Sequence, residues 1–182
     1  VYDNAPQDER RDWFVVPDYL SDLISTNRMG DKSGAGFYKK TKIDGKRAIL
    51  ALDVETLEYR PKQKVRLDCI GAARKADKLA DKLKAMVYGS EDDPGAQLAW
   101  AVTADTLIYS ANRIPEIAAD IVNVDNAMKW GFGWEIGPFE AWDAIGVAES
   151  VAKMEAEGRE VPAWVKSMLA SGQSSFYGRN DR

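Results

Sequence analysis

A mainly α-helical fold with one small β-hairpin is what this sequence predicts, and three observations carry that reading. Apolar residues recur at three- and four-residue steps through most of the chain after Lys64. Proline stands where several of these runs begin, and glycine where they stop. Only between Lys46 and Arg60 does the period change to two.

Taken in order, residues 1–12 hold six charges and read as a flexible, loosely attached start. Pro17 opens a helix to about Asn27 that should bury Tyr19, Leu20, Leu23 and Ile24. The run Met29 to Gly36 is too glycine-rich for helix, and Phe37-Tyr38 should anchor it in the core. Ala48, Leu50, Leu52 and Val54 alternate with less apolar neighbours, and Leu57-Glu58-Tyr59 continues the pattern, so 46–60 reads as a hairpin that must pack on helices. Cys69, Ala72, Ala76, Leu79, Leu83 and Met86 then predict one long amphipathic helix from Lys64 to Tyr88, terminated by Gly89. Asp93 and Pro94 cap and open a helix to about Arg113, apolar on two sides and therefore central. A further helix spans about Ala118 to Trp130, with Gly131 as its C-cap, and another opens at Gly137-Pro138 and runs to Ile145. A polar helix from Ala148 to Glu157 and a last one from Pro162 to Ala170 complete the chain.

Composition excludes several function classes. At 182 residues and 45% hydrophobic content the chain has material for one or two domains. No apolar run is long enough to span a membrane, no secretory signal is visible, and one cysteine suits a reducing, cytoplasmic setting. A net charge of -4 argues against nucleic acid as a partner. The start at Val1 rather than Met suggests a cloned or processed fragment. Histidine is absent, which removes the usual general base and the commonest metal ligand; with one cysteine, a zinc site of Cys and His is excluded.

Each chemically suggestive group has a plainer structural reading. Gly30, Gly34 and Gly36 match neither a P-loop nor a dinucleotide-binding turn, since both need a preceding strand and a different spacing. Phe139, Trp142 and Ile145 form a core stripe. Glu140 and Asp143 read as neighbours on a solvated face favoured by the helix dipole. Asp105, on an apolar stripe, should be a hydrogen-bonded residue that caps a neighbouring helix. Arg113 serves the dipole of its own helix end, Cys69 is an inert thiol, and the lysines from Lys75 to Lys84 form a solvated face.

The chain also repeats itself. Val16-Pro17-Asp18-Tyr19-Leu20 through Leu23-Ile24 matches Val161-Pro162-Ala163-Trp164-Val165 through Met168-Leu169. Each is followed by a glycine-containing loop and a Phe-Tyr pair, Phe37-Tyr38 and Phe176-Tyr177, the second loop being six residues shorter. A repeated helix–loop–aromatic unit suggests a duplicated domain.

The stretch Asp125-Asn126-Ala127-Met128-Lys129-Trp130-Gly131 through Gly137-Pro138-Phe139-Glu140-Ala141-Trp142-Asp143 resembles the characteristic helix pair of the C-terminal domain of 3-hydroxyacyl-CoA dehydrogenases. Gly30, Lys32, Gly34, Gly36, Phe37 and Tyr38 resemble that family's second signature, a basic glycine turn that closes the domain. The family residues recognised are thus these six together with Asp125, Met128, Gly131, Gly137, Pro138, Phe139, Trp142 and Asp143. Because the closing signature comes first, the resemblance implies the end of one copy (13–40), a linking hairpin and helix (41–88), a second copy (89–178) and a tail (179–182). Proteins with such tandem domains are sometimes fused to an enoyl-CoA hydratase. The resemblance further implies a parent enzyme that oxidises 3-hydroxyacyl-CoA in fatty-acid β-oxidation and binds NAD in a Rossmann domain. That domain and the acyl-CoA substrate at the cleft are the implied partners, with a homo-oligomer as a further arrangement. The family's catalytic His-Glu pair has no counterpart here, so no catalytic, cofactor-binding or metal-binding residue is carried over, and the isolated chain is expected to be inactive. The second copy's closing motif, Gly172 to Tyr177, lacks the basic residue. A non-catalytic helical interaction or acyl-CoA-binding module is the alternative.

Overall fold

The computed structural model describes residues 2–178, which fall into two compact units, Val1–Val65 and Arg66–Arg182. The first unit begins with turns and a 3-10 helix, Arg11–Phe14, followed by α1, Asp18–Ser25. Of the four residues expected to be buried on α1, Leu23 is buried, Tyr19 and Leu20 are half-buried, and Ile24 is exposed. A three-stranded antiparallel sheet follows in the order β1 (Tyr38–Ile43), β2 (Lys46–Leu52), β3 (Tyr59–Pro61). The sheet is thus one strand larger than the predicted hairpin, and Val54 lies in the turn after β2, not in a strand. Register runs from Tyr38 opposite Ala51 to Ile43 opposite Lys46. The turn between β1 and β2 is Asp44-Gly45, both at positive φ (50° and 76°). That is the pair a two-residue hairpin needs to match strand twist.

The second unit holds seven helices among the described residues: α2 (Asp68–Lys75), α3 (Leu79–Val87), α4 (Pro94–Asn112), α5 (Ile121–Phe132), α6 (Pro138–Ile145), α7 (Val147–Ala156) and α8 (Ala163–Ala170). The helix predicted over 64–88 is in fact two. Ala76 and Lys78 are extended, so the apolar pattern serves a helical hairpin in which α2 packs on α3. Gly89 does not end α3 through a left-handed conformation, since its φ is not positive. A Cβ there would lie 2.7 Å from the Ala96 Cβ, so glycine permits close approach of the chain to α4. The stretch 41–88 is therefore divided between the units, the sheet with the first and α2–α3 with the second.

α4 is central, as its composition demands, but through one side. Trp100, Ala104, Leu107, Ile108 and Ala111 are buried, whereas Leu98 and Val102 are exposed. The core is completed by Phe139, Trp142 and Ile145 of α6, Val147, Val151 and Met154 of α7, and Val165 of α8. α7, expected to be polar, buries four residues including Ser150. Asp93 caps α4 as predicted, accepting from Gly95 N at 2.8 Å, and also accepts from Cys69 N at 2.6 Å, which ties α2 to α4. α5 runs past Gly131 and ends at Gly133, left-handed at φ 69°, whose N–H donates to Met128 O. The expected cap at Gly131 is therefore misplaced by two residues. Asp105 caps no helix; it pairs with Arg159 at 2.6 Å. Arg113 takes the C-cap position of α4, with Glu116 at 2.7 Å and the Tyr109 ring at 4.5 Å.

Two predictions follow from these ends. Gly131→Ala should stabilise the protein by about 0.5–1 kcal/mol, being in an open helix interior, while Gly133→Ala should destabilise it by about 1–2 kcal/mol for lack of a comfortable left-handed conformation; denaturant midpoints of both variants check this. Backbone donors, first that of Cys69, hold the Asp93 carboxyl below its ordinary value of 3.8. A depressed folded-state pKa gives stability that is present above the unfolded value and lost as pH falls through the folded one. Asp93→Asn should therefore flatten the acid limb of a stability-versus-pH curve below about pH 4, measured by urea unfolding; an unchanged limb would refute the assignment.

Candidate functional site

The predicted signature residues separate into two groups, one in each unit. In the first, Gly30 (φ 111°) and Gly34 (φ 82°) flank a single 3-10 turn, Asp31–Ser33, on which Lys32 is exposed. A Cβ on Gly36 would meet the Gly30 Cα at 2.8 Å, so the turn is closed on itself. Its ion pair is Lys40–Asp31 at 2.9 Å, and Ser33 Oγ accepts from Met29 N at 2.8 Å. Phe37 and Tyr38 do not anchor it in a core: both are exposed, Phe37 meeting the edge of Tyr19 at 6.2 Å between ring centroids. The turn follows α1 and leads into β1, whereas a dinucleotide site needs a strand before the glycines and a helix N-terminus after them. These residues do not fit NAD.

In the second unit the signature residues form a buried knot at the start of α6. Gly137 occupies the N-cap position and has no side chain with which to cap. The capping oxygens come from α5 instead: Asp125 Oδ1 accepts from Phe139 N at 2.8 Å and Oδ2 from Glu140 N at 3.1 Å. Pro138 has no N–H, and Gly137 N donates to Glu140 Oε2 at 2.8 Å. Every donor of the first turn is thereby satisfied. Glu140 also pairs with Lys129 at 2.7 Å. A Cβ on Gly137 would lie 2.3 Å from the Asp125 Cβ, so only glycine lets α5 come this close. Met128, half-buried on α5, contributes the carbonyl that receives the Gly133 N–H.

The same knot fastens the C-terminal strap. Tyr177 Oη donates to Asp125 Oδ2 at 2.7 Å, and Asp143 accepts from Phe176 N at 2.7 Å and Tyr177 N at 2.9 Å. Asp143 is thus half-buried and committed to the strap, not on the solvated face predicted for it. The Phe176 ring is held among Phe139, Trp142 and Trp164 at 5.0–5.7 Å. Burial, then the Asp125 hydrogen bond, pushes the Tyr177 hydroxyl well above its ordinary value. Burial likewise raises the Asp143 carboxyl, outweighing the two backbone donors that favour its charge. Trp142 Nε1 donates to Ser150 Oγ at 2.7 Å, which joins α6 to α7. The repeat marks Tyr177 as the partner of Tyr38, across a loop six residues shorter, but gives no sign of its bond to Asp125, and nothing in the sequence marks Ser150.

A second feature lies beside α4. A half-open hollow of about 350 Å³ is lined by Val87, Gly89, Trp100, Lys153, Glu157 and Arg159 among others. Three of its charges are engaged: Lys153 sits 5.0 Å over the Trp100 ring, Trp100 Nε1 donates to Glu157 at 2.6 Å, and Arg159 bonds Glu157 and Asp105. Burial raises the Cys69 thiol, which keeps it protonated and unreactive. Among the described residues no three metal-ligating side chains converge, and no helix is long and apolar enough to cross a membrane.

The knot joins α5, α6 and the C-terminal strap. Gly137→Ala should cost about 1–3 kcal/mol or more by overpacking against Asp125. Asp125→Asn should cost about 1–3 kcal/mol, since an amide offers a single acceptor oxygen to three donors. Tyr177→Phe should lose about 1.5–3 kcal/mol, and the Asp125→Asn/Tyr177→Phe pair should be non-additive in thermal or urea unfolding. Additive losses would mean that the two groups do not share one network.

Comparison with known proteins gives this knot a family. The family model described as "3-hydroxyacyl-CoA dehydrogenase, C-terminal domain" matches residues 103–175, which run from α4 to the strap. A Bacillus subtilis protein named "Probable 3-hydroxyacyl-CoA dehydrogenase" is 45% identical over 97% of this chain, and the matched part makes up 22% of that protein. Proteins of Rickettsia felis and Rickettsia prowazekii, both named as candidate trifunctional enzymes of the fatty acid oxidation complex, are each 27% identical over 70% and 65% of the chain and 16% and 15% of their own lengths. The chain thus spans about a fifth of these relatives or less. No solved structure matches it. With its Asp125–Gly137 helix pair and aromatic strap, the chain carries the C-terminal domain of the 3-hydroxyacyl-CoA dehydrogenase family.

Proposed function

We propose that this chain is the helical C-terminal part of an NAD-dependent enzyme that oxidises 3-hydroxyacyl-CoA to 3-oxoacyl-CoA in fatty-acid β-oxidation. The match to a named dehydrogenase along 97% of the chain is the observation that carries this reading. Hydride transfer needs a dinucleotide bound beside a general base. The chain has no histidine and its glycine turn does not fit a dinucleotide, so a Rossmann domain elsewhere in the parent supplies both. The role left to this chain is positioning. The second unit is held rigid by a buried polar knot, and that rigidity suits one wall of an acyl-CoA cleft at a domain boundary. We read the parent as cytoplasmic, a setting that a single cysteine with no internal disulfide suits. The organisation is tandem: residues 13–40 are the end of one C-terminal domain, 41–88 link, and 89–178 are a nearly complete second copy.

A reading as an interaction module has one observation of its own. Trp130 is 81% exposed at the end of α5, with Phe132 and Trp134 exposed beside it. Such a cluster is unusual unless something covers it. In the dehydrogenase reading this is the packing surface for the rest of the parent or for a second subunit.

The deciding experiment is NADH oxidation with acetoacetyl-CoA by the purified chain, with calorimetric titration of each ligand. The expected result is no turnover and no heat with NADH. Heat with acetoacetyl-CoA would assign the chain part of the substrate cleft, and its absence would leave packing as the role. Turnover would overturn the proposal.

A further inference from the structure

The repeat seen in the sequence is also a repeat of backbone. α1 and α8 are both eight residues long and begin at the same point of the repeated segment, one residue after Pro17 and Pro162. Both end in the same cap. Asn27 (φ 54°) and Gly172 (φ 89°) are left-handed, and beyond them Arg28 N donates to Leu23 O at 2.7 Å as Gln173 N does to Met168 O at 3.3 Å. Those bonds turn the chain towards Phe37-Tyr38 in one unit and Phe176-Tyr177 in the other.

The surroundings of the two segments differ. In the second unit Val161 and Val165 are at most 5% exposed, and Phe176 and Tyr177 are seated on α5 and α6. In the first unit Val16, the counterpart of Val161, is 56% exposed and Leu20, the counterpart of Val165, is half-buried; Ile24 and Tyr38 are 62% and 59% exposed where their counterparts Leu169 and Tyr177 are half-buried, and Phe37 is exposed as well. Beside them is an open hollow of about 260 Å³ lined by Leu20, Leu23, Ile24, Gly36 and Phe37 among others. A cavity of about 150 Å³ holds a benzene ring, so this one has room for an aromatic side chain.

We infer that Val16–Tyr38 is a docking surface for a helix pair of the α5–α6 kind, one that brings an aromatic residue in the place of Phe139 and a carboxylate in the place of Asp125. The aromatic fills the hollow beside Phe37. The carboxylate receives the Tyr38 hydroxyl while capping its own helix, as Asp125 does for Tyr177. This rests on the tandem reading above and not on the dehydrogenase chemistry.

A graft tests it. Residues 16–38 replace 161–177 in the full chain, so that the first unit's segment must close α5 and α6. The thermal midpoint should recover more than half of the difference between the intact chain and one ending at Glu160. One tyrosine should again titrate far above the ordinary range, and Tyr38→Phe within the graft should abolish that titration. A graft that melts like the chain ending at Glu160, or recovers without a high-titrating tyrosine, would overturn the inference. So would a dimer of the intact chain, seen by sedimentation, that Phe37→Ser makes monomeric, because the occupant would then be a second copy. Failure of the graft leaves the assay with acetoacetyl-CoA unaffected, and turnover in that assay leaves the graft comparison standing.

Discussion

The approach of Asp125 to Gly137 is the constraint from which the rest of the helical unit follows. A carboxylate buried to 1% exposure is costly unless donors surround it. Here three donors converge on it, two from the first turn of α6 and one from Tyr177. They reach it only because position 137 has no Cβ and position 138 has no N–H to satisfy. The capping residue that a helix ordinarily carries in its own sequence is supplied here from another helix, so two donors at the start of α6 depend on α5 for their acceptors. The same oxygen that caps α6 then holds Tyr177, and the strap sets Phe176 into the aromatic cage. One side chain thereby couples α5, α6 and the C-terminal strap, and a single lost acceptor is felt at all three.

The parts of this arrangement that are local in sequence were legible in it. Asp93-Pro94 and Gly137-Pro138 open helices because their chemistry acts within one turn, and both starts were read correctly. The parts that depend on a distant partner were not. Nothing within residues 64–88 distinguishes one long helix from two that fold back on each other, since the same apolar stripe serves both. Glycine at 89 reads as a helix stop, yet its role is to admit Ala96. Asp143 and Glu140 read as surface neighbours because their partners lie 33 residues downstream in one case and on the preceding helix in the other. β1 is the exception: Asp44-Gly45 is a local hairpin signal, and it was there to be read.

Perturbed ionisation usually points to an active site. The second unit shows how a structural network produces the same signature. Tyr177 and Asp143 are both pushed up chiefly by burial, and they sit around a carboxylate at the centre of the fold. What separates this cluster from a catalytic one is the state of its polar atoms. Asp125, Asp143 and Tyr177 all point at helix and strap donors or acceptors within the unit, and the aromatic cage over them is filled by Phe176. A group that takes part in chemistry has to face a space that a reactant can enter. Tyr88 is pushed up to about 12 as well, chiefly by burial and then by the Glu149 charge.

The loss of the basic residue from the second closing motif takes on a different meaning in this light. As sequence, Gly172 to Tyr177 is a shorter match to Gly30 to Tyr38 in which Lys32 has no counterpart. In the structure Lys32 is exposed on the 3-10 turn, and the residues that seat the strap are the helix, its left-handed cap, the phenylalanine and the tyrosine hydroxyl. Each of those is present in the second segment. The second loop is six residues shorter than the one that holds the glycine turn, which is closed on itself. Shortening that loop therefore removes backbone whose ordering has a conformational cost, about 1–2 kcal/mol per residue, and leaves the closing contacts whole. The second motif is better described as reduced to what closing the domain requires.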